Sequence, residues 1–173
     1  MVFGLGVQPA IDYLAGSDLA QNGGVPVNAR LGTKYPDIFA AGDIAIVPNP
    51  AGGDGMRIEH WVVAERQGQH AARSMLGSSA GYEEVPFFWT RQTGISLRYA
   101  GYAREWDALA VRGDVDKGKF LVGYYRKGTL LAASSIGMPN ELIAVELMLK
   151  KKIALPAVKL EDAGVDLLSM ARG

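Results

Sequence analysis

Cysteine is absent from the 173 residues, which removes disulfides, thiolate metal ligands and dithiol redox chemistry together. That absence fits a reducing cytoplasm. Histidine is nearly absent too: only His60 and His70 occur, and two imidazoles without cysteine make no metal site. Net charge is missing, because 18 basic residues balance 18 acidic ones. The basic residues are also scattered, so neither a nucleic-acid backbone nor an anionic membrane is expected as a partner. No apolar run reaches the roughly 20 residues of a membrane helix, and the start lacks the basic flank and cleavage site of a secretory signal. The length leaves room for one ordinary domain or two small units, not for a large enzyme with two nucleotide sites.

What is present in the first half reads as pieces of an α/β unit, with short apolar strands between glycine- and proline-marked turns. Val2, Phe3, Leu5 and Val7 form a candidate buried strand over residues 1–7. Such a strand belongs in the middle of a larger sheet, so the chain reads as a fragment. Pro9 suits the first turn of a short helix over 9–15, with Gly16 as its stop. Asn22-Gly23-Gly24 is a turn, Val25-Pro26-Val27 an extended piece, and residues 37–41 a second buried strand ending at Gly42-Asp43. The stretch 48–55 is too rich in glycine and proline for regular structure. From Trp61 to Leu76, Val62, Val63, Ala64, Ala71, Ala72, Met75 and Leu76 recur near helical spacing, and Gly77 closes the helix.

Residues 77–81 are small and polar without periodicity, which places a boundary there. The expected organisation is therefore a first segment over 1–77 and a second domain over 82–173. In the second, four runs rich in β-branched and aromatic residues, 95–102, 106–112, 120–126 and 129–136, imply an antiparallel sheet, with Lys127-Gly128 joining the last pair tightly. Pro139 opens a helix through Leu149, and 161–170 forms another. The fold class is thus an α/β fragment followed by an α+β domain with an antiparallel sheet and helices on one face.

Few residues invite chemistry. Gly4-Leu5-Gly6 resembles the start of a dinucleotide fingerprint, but Pro9 stands where its third small residue must be, so a helix could not open its amides to a pyrophosphate. Gly42-Asp43 presents one carboxylate at the carboxyl edge of an α/β sheet, where ligands bind and where it can accept from polyol hydroxyls. From the residues alone, a strand-ending Gly-Asp turn is the simpler account.

Taken in order, Gly23-Gly24-Val25-Pro26-Val27, Thr33 and Pro36-Asp37-Ile38-Phe39-Ala40-Ala41-Gly42-Asp43 resemble the second FAD motif of the two-dinucleotide-domain flavoprotein reductases. Arg57-Ile58-Glu59-His60-Trp61, Ala64, Gly68, Ala71-Ala72, Pro86-Phe87-Phe88-Trp89-Thr90 and Leu97-Arg98-Tyr99-Ala100-Gly101-Tyr102 narrow the resemblance. They are similar to the ferredoxin-reductase and apoptosis-inducing-factor-like branch of the pyridine nucleotide-disulfide oxidoreductase superfamily, in particular to members that occur beside Rieske proteins. The resemblance spans essentially the whole chain.

It implies that residues 1–77 are the C-terminal segment of an FAD-binding domain and 82–173 the reductase C-terminal domain. It assigns Asp43 to a ribityl hydroxyl, with Gly42 allowing close approach, and sets Glu59, His60 and Trp61 at the start of a helix whose amides face the flavin's pyrimidine carbonyl. Trp89 would approach the ring from the second domain, where the residues alone suggest only aromatic core. Trp106 and Tyr124-Tyr125 read as sheet packing, and Arg91, Arg98 and Arg104 as solvated surface, with contact to an acidic electron-transfer protein as the alternative. No residue is assigned as a catalytic acid or base. The disulfide-reducing branch is excluded, since neither histidine precedes a proline and there is no cysteine. The implied activity of the parent is NAD(P)H-dependent reduction of a ferredoxin or Rieske-type partner through FAD, with the fragment inactive alone. The competing expectation is a dimerisation or partner-docking module with an inert flavin remnant, and self-association is expected in either case.

Overall fold

The computed structural model describes residues 1, 3–50 and 52–173. The chain divides into two compact units, Met1–Glu83 and Glu84–Gly173. Among the described residues no helix is long and apolar enough to cross a membrane.

In the first unit, β1 (Val25–Pro26) and β2 (Ala45–Ile46) pair in parallel. The turn before β1 is set by Asn22 and Gly23, both at positive φ, and two backbone bonds between Gln21 and Gly24 close it. A 3-10 turn over Gly42–Ile44 leads into β2. Mutual bonds between Val47 and Met56, at 2.9 and 2.8 Å, fasten the irregular loop that follows. The helix α1 (Trp61–Met75) buries Val63, Gln67, Ala71 and Ser74 along one stripe, the spacing of a single helix face. It stops at Gly77, whose φ of 93° suits glycine, with the amides of Gly77 and Ser78 donating to the carbonyls of Ser74 and Arg73.

Three expectations fail in this unit. The apolar run at the N-terminus forms no strand among its described residues; Val2 lies outside them. Phe3, Leu5 and Val7 are all exposed, because a strand needs a hydrogen-bonding neighbour and this run has none in the described chain. The helix expected over 9–15 shrinks to a 3-10 turn, Asp12–Leu14. Residues 37–41 are not a strand either: Asp37 sits at φ 64°, only Phe39 bridges, to Gly32, and Ile38 is exposed. The paired strand lies after Gly42-Asp43, not before it.

The second unit is a five-stranded antiparallel sheet in the order β3-β4-β7-β6-β5, built from β3 (Phe87–Gln92), β4 (Ile95–Gly101), β5 (Ala108–Asp114), β6 (Lys119–Arg126) and β7 (Thr129–Ile136). Sequence reasoning found four of these strands and missed β3. Thr93 and Gly94 join β3 to β4, and Lys127 and Gly128 join β6 to β7; all four residues have positive φ, as a tight two-residue hairpin requires. One sheet face carries Leu121, Tyr125 and Ala133 into a core shared with Leu142, Val145 and Met148 of α2 (Pro139–Lys151). Leu160 and Leu167 join it from α3 (Ala157–Glu161) and α4 (Leu167–Arg172). The single helix expected over 161–170 is two short ones, parted where Asp162 turns back on itself by accepting from the Gly164 amide at 2.8 Å. Asp166 then caps α4 by accepting from the amides of Leu168 and Ser169.

Candidate functional site

The site grows from one turn in the first unit. Gly42 has φ 81°, a conformation that glycine adopts without steric cost. A Cβ there would lie 3.4 Å from the Cβ of Ala64, so the missing side chain lets this turn rest on α1. The amide of Gly42 donates to the side-chain oxygen of Gln67 at 2.8 Å in a buried bond. On the other flank, Arg57 Nη1 donates to the backbone carbonyl of Asp43 at 3.2 Å and to the carboxylate of Glu59 at 2.6 Å. The turn is therefore held at both ends through its backbone. The Asp43 carboxylate accepts nothing from the described residues and stands exposed, free to meet an external donor.

Glu59, His60 and Trp61 lead into α1, as the sequence placed them. His60 is the N-cap, its Nδ1 accepting from the Val62 amide at 3.3 Å. That bond occupies one of the first-turn amides that sequence reasoning left open to a ligand. Glu59 is held by Arg57, and Trp61 is largely exposed, its ring centroid 6.0 Å from that of His60. Arg57 thus gathers Gly42-Asp43 and the approach to α1 into one cluster. Trp89 belongs to the second unit, on β3, where it is paired in register with Arg98 and lies 5.9 Å from the ring of Phe87.

Two residues of the cluster were missed from the sequence. Gln67 is 2% exposed and sits in the apolar stripe of α1 between Val63 and Ala71. A polar residue in the middle of such a stripe is itself the signal. Arg57 was noted only as part of a motif; its work lies in bonds to backbone, which spacing does not reveal.

The first unit thus combines a parallel strand pair, a glycine turn whose carboxylate has no partner among the described residues and a capped helix beside it, and a sheet-and-helix unit follows in the chain. The description "Pyridine nucleotide-disulphide oxidoreductase" matches residues 1–68 and "Reductase C-terminal" matches residues 87–171. The chain is 37% identical over 138 residues to apoptosis-inducing factor 3 of Mus musculus, covering 78% of this chain and 23% of that protein. It is 33% identical over 159 residues to the 3-phenylpropionate/cinnamic acid dioxygenase ferredoxin–NAD(+) reductase component of Photorhabdus laumondii, covering 91% of this chain and 39% of that one. A ferredoxin reductase crystal structure from Rhodopseudomonas palustris matches with a TM-score of 0.89 and 27% identity, covering 97% of this chain and 42% of that chain. The chain belongs to the pyridine nucleotide-disulphide oxidoreductase superfamily, ferredoxin reductase branch, and corresponds to its C-terminal portion. It spans less than half the length of each of these relatives. The branch is FAD-dependent.

Proposed function

We propose that this chain supplies the ribityl and ring side of an FAD site in a ferredoxin reductase and does not turn over alone. The observation that carries this reading is the backbone-clamped Gly42-Asp43 turn, whose carboxylate has no protein partner among the described residues. The residues fit the group: an acceptor-only carboxylate suits the hydroxyls of a polyol chain, and the start of α1 turns the positive end of its dipole toward the same cluster.

Bound flavin supplies hydride acceptance from a nicotinamide and two single-electron transfers to an iron–sulfur protein. The chain's residues supply position and charge. Asp43 would accept from a ribityl hydroxyl, while Gln67 and Arg57 hold its backbone in place. The α1 terminus favours negative charge gathering on the carbonyl side of the ring. None of these residues has to move a proton. The pyrophosphate side needs a glycine fingerprint that this sequence does not contain, so the affinity of the chain alone is low.

The test is to titrate the purified chain with riboflavin, which carries the ring and polyol, and with ADP-ribose, which carries the pyrophosphate half. Riboflavin fluorescence is expected to quench, ADP-ribose to remain unbound, and Asp43→Ala to weaken the riboflavin signal. A chain that ignores riboflavin, or that prefers ADP-ribose, overturns the reading.

A further inference from the structure

We infer that the side-chain nitrogen of Gln67 is a second ligand donor at this site, an inference that rests on the flavin reading above. Gln67 is 2% exposed, and its side-chain oxygen accepts from the Gly42 amide at 2.8 Å. An amide N–H needs an acceptor, so this bond fixes which end of the carboxamide is oxygen and leaves Nε2 with two hydrogens to give. No described residue accepts from Nε2. The fully enclosed polar side-chain atoms without a partner are His70 Nε2 and Ser74 Oγ; Gln67 Nε2 is not one of them, so it keeps an opening to the outside.

Nε2 and the anchored oxygen share one carbon, so Nε2 lies close to the Gly42 amide that holds the oxygen. The next residue, Asp43, carries an exposed carboxylate that can only accept, whereas Nε2 can only donate. The pair brackets a group that does both. An ammonium group would satisfy Asp43 alone and a ketone Gln67 alone. An alcohol satisfies both at once, its hydrogen to Asp43 and its oxygen toward Gln67, each bond polarising the other. The group selected is therefore a hydroxyl, and on the flavin reading Gln67 donates to one on the polyol chain.

Exchanges of Gln67 made in an Asp43→Ala background separate this role from simple support of Asp43. Riboflavin and lumiflavin, which has the ring without the polyol, are titrated against the whole chain as Asp43→Ala and as Asp43→Ala with Gln67→Glu. Ionised glutamate keeps an acceptor for Gly42 and has no donor; Gln67→Met in the same background removes the donor where burial keeps the new carboxyl protonated or prevents folding. With Asp43 already gone, either exchange is expected to weaken riboflavin a further roughly threefold to tenfold, the worth of one hydrogen bond, and to leave lumiflavin unchanged. No further loss, or an equal loss for both ligands, shows that Gln67 only positions the turn and overturns the inference. A wild-type chain that binds no riboflavin sinks the flavin reading itself, and this inference with it.

Discussion

The backbone amide of Gly42 reaches across 2.8 Å to the side chain of Gln67, two helical turns into α1, and both residues are buried. Replacing Gln67 with leucine fills the same stripe but orphans that amide. An enclosed donor without a partner costs about 1–3 kcal/mol. The melting temperature of the chain should fall accordingly, and amide exchange at Gly42 should accelerate more than exchange in the second unit.

Gly42→Ala strains the same turn from its own side. At φ 81° a side chain is disfavoured by about 1–2 kcal/mol, while the nearest contact, Ala64 at 3.4 Å, is ordinary packing. The loss should appear in urea unfolding as a lower midpoint with an unchanged slope.

In the second unit, Arg112 is 8% exposed and donates only to backbone: to the carbonyls of Leu160 at 3.3 Å, Ala163 at 3.3 Å and Val165 at 2.8 Å, and to that of Asp162. Arg112→Met leaves these carbonyls without their cation, a loss on the order of 3 kcal/mol. Arg112→Lys should recover only part of it, because a compact ammonium cannot span four separated acceptors. Chemical denaturation of the three proteins side by side tests this order.

Burial, reinforced by the charge of Glu161, pushes the Tyr125 phenol up to about 12 from its ordinary 10.0, and its hydroxyl donates to the Leu155 carbonyl at 3.0 Å. Below pH 10 the phenol is neutral whether the chain is folded or not, and its stabilisation is complete. Between pH 10 and 12 the unfolded chain ionises first, so stability drains away as pH rises through that window. Tyr125→Phe should be less stable by about 1 kcal/mol at neutral pH and lose less than the wild type between pH 10 and 12.

Ser74 runs the other way. Its hydroxyl is enclosed in the structure with no partner among the described residues, so desolvating it returns nothing. Ser74→Ala should leave stability unchanged or raise it by up to about 1 kcal/mol, and alanine also favours the helix. A lower melting temperature would show that the hydroxyl has a partner after all.

Much of this fold could be read from local patterns. The α1 stripe, the Lys127-Gly128 hairpin and the proline-opened α2 each carry their instruction within a few residues, and the antiparallel sheet followed. Where the deciding interaction was remote, reading failed. The run over residues 1–7 has strand composition, yet among the described residues no neighbouring strand receives it. Phe87 to Gln92 looks like aromatic packing because three adjacent rings mask the alternation; the turn pair Thr93-Gly94 is what marks the strand. Residues 161–170 look like one helix until Asp162 bonds back to Gly164. In the site, Gly42 and Asp43 were visible as a motif, while the two side chains that hold them, Arg57 and Gln67, act on backbone atoms far along the chain.

The two shortest helices share one device. α3 has five residues and α4 six, lengths that cannot sustain themselves in water. Each is finished by a cation lent from a longer element: Arg112 of β5 at the last carbonyls of α3, and Lys151 of α2 donating to the carbonyl of Ala171 at 2.8 Å in α4. These helices consequently have no independent existence. Their backbone amides are expected to exchange before those of the sheet and α2 that support them.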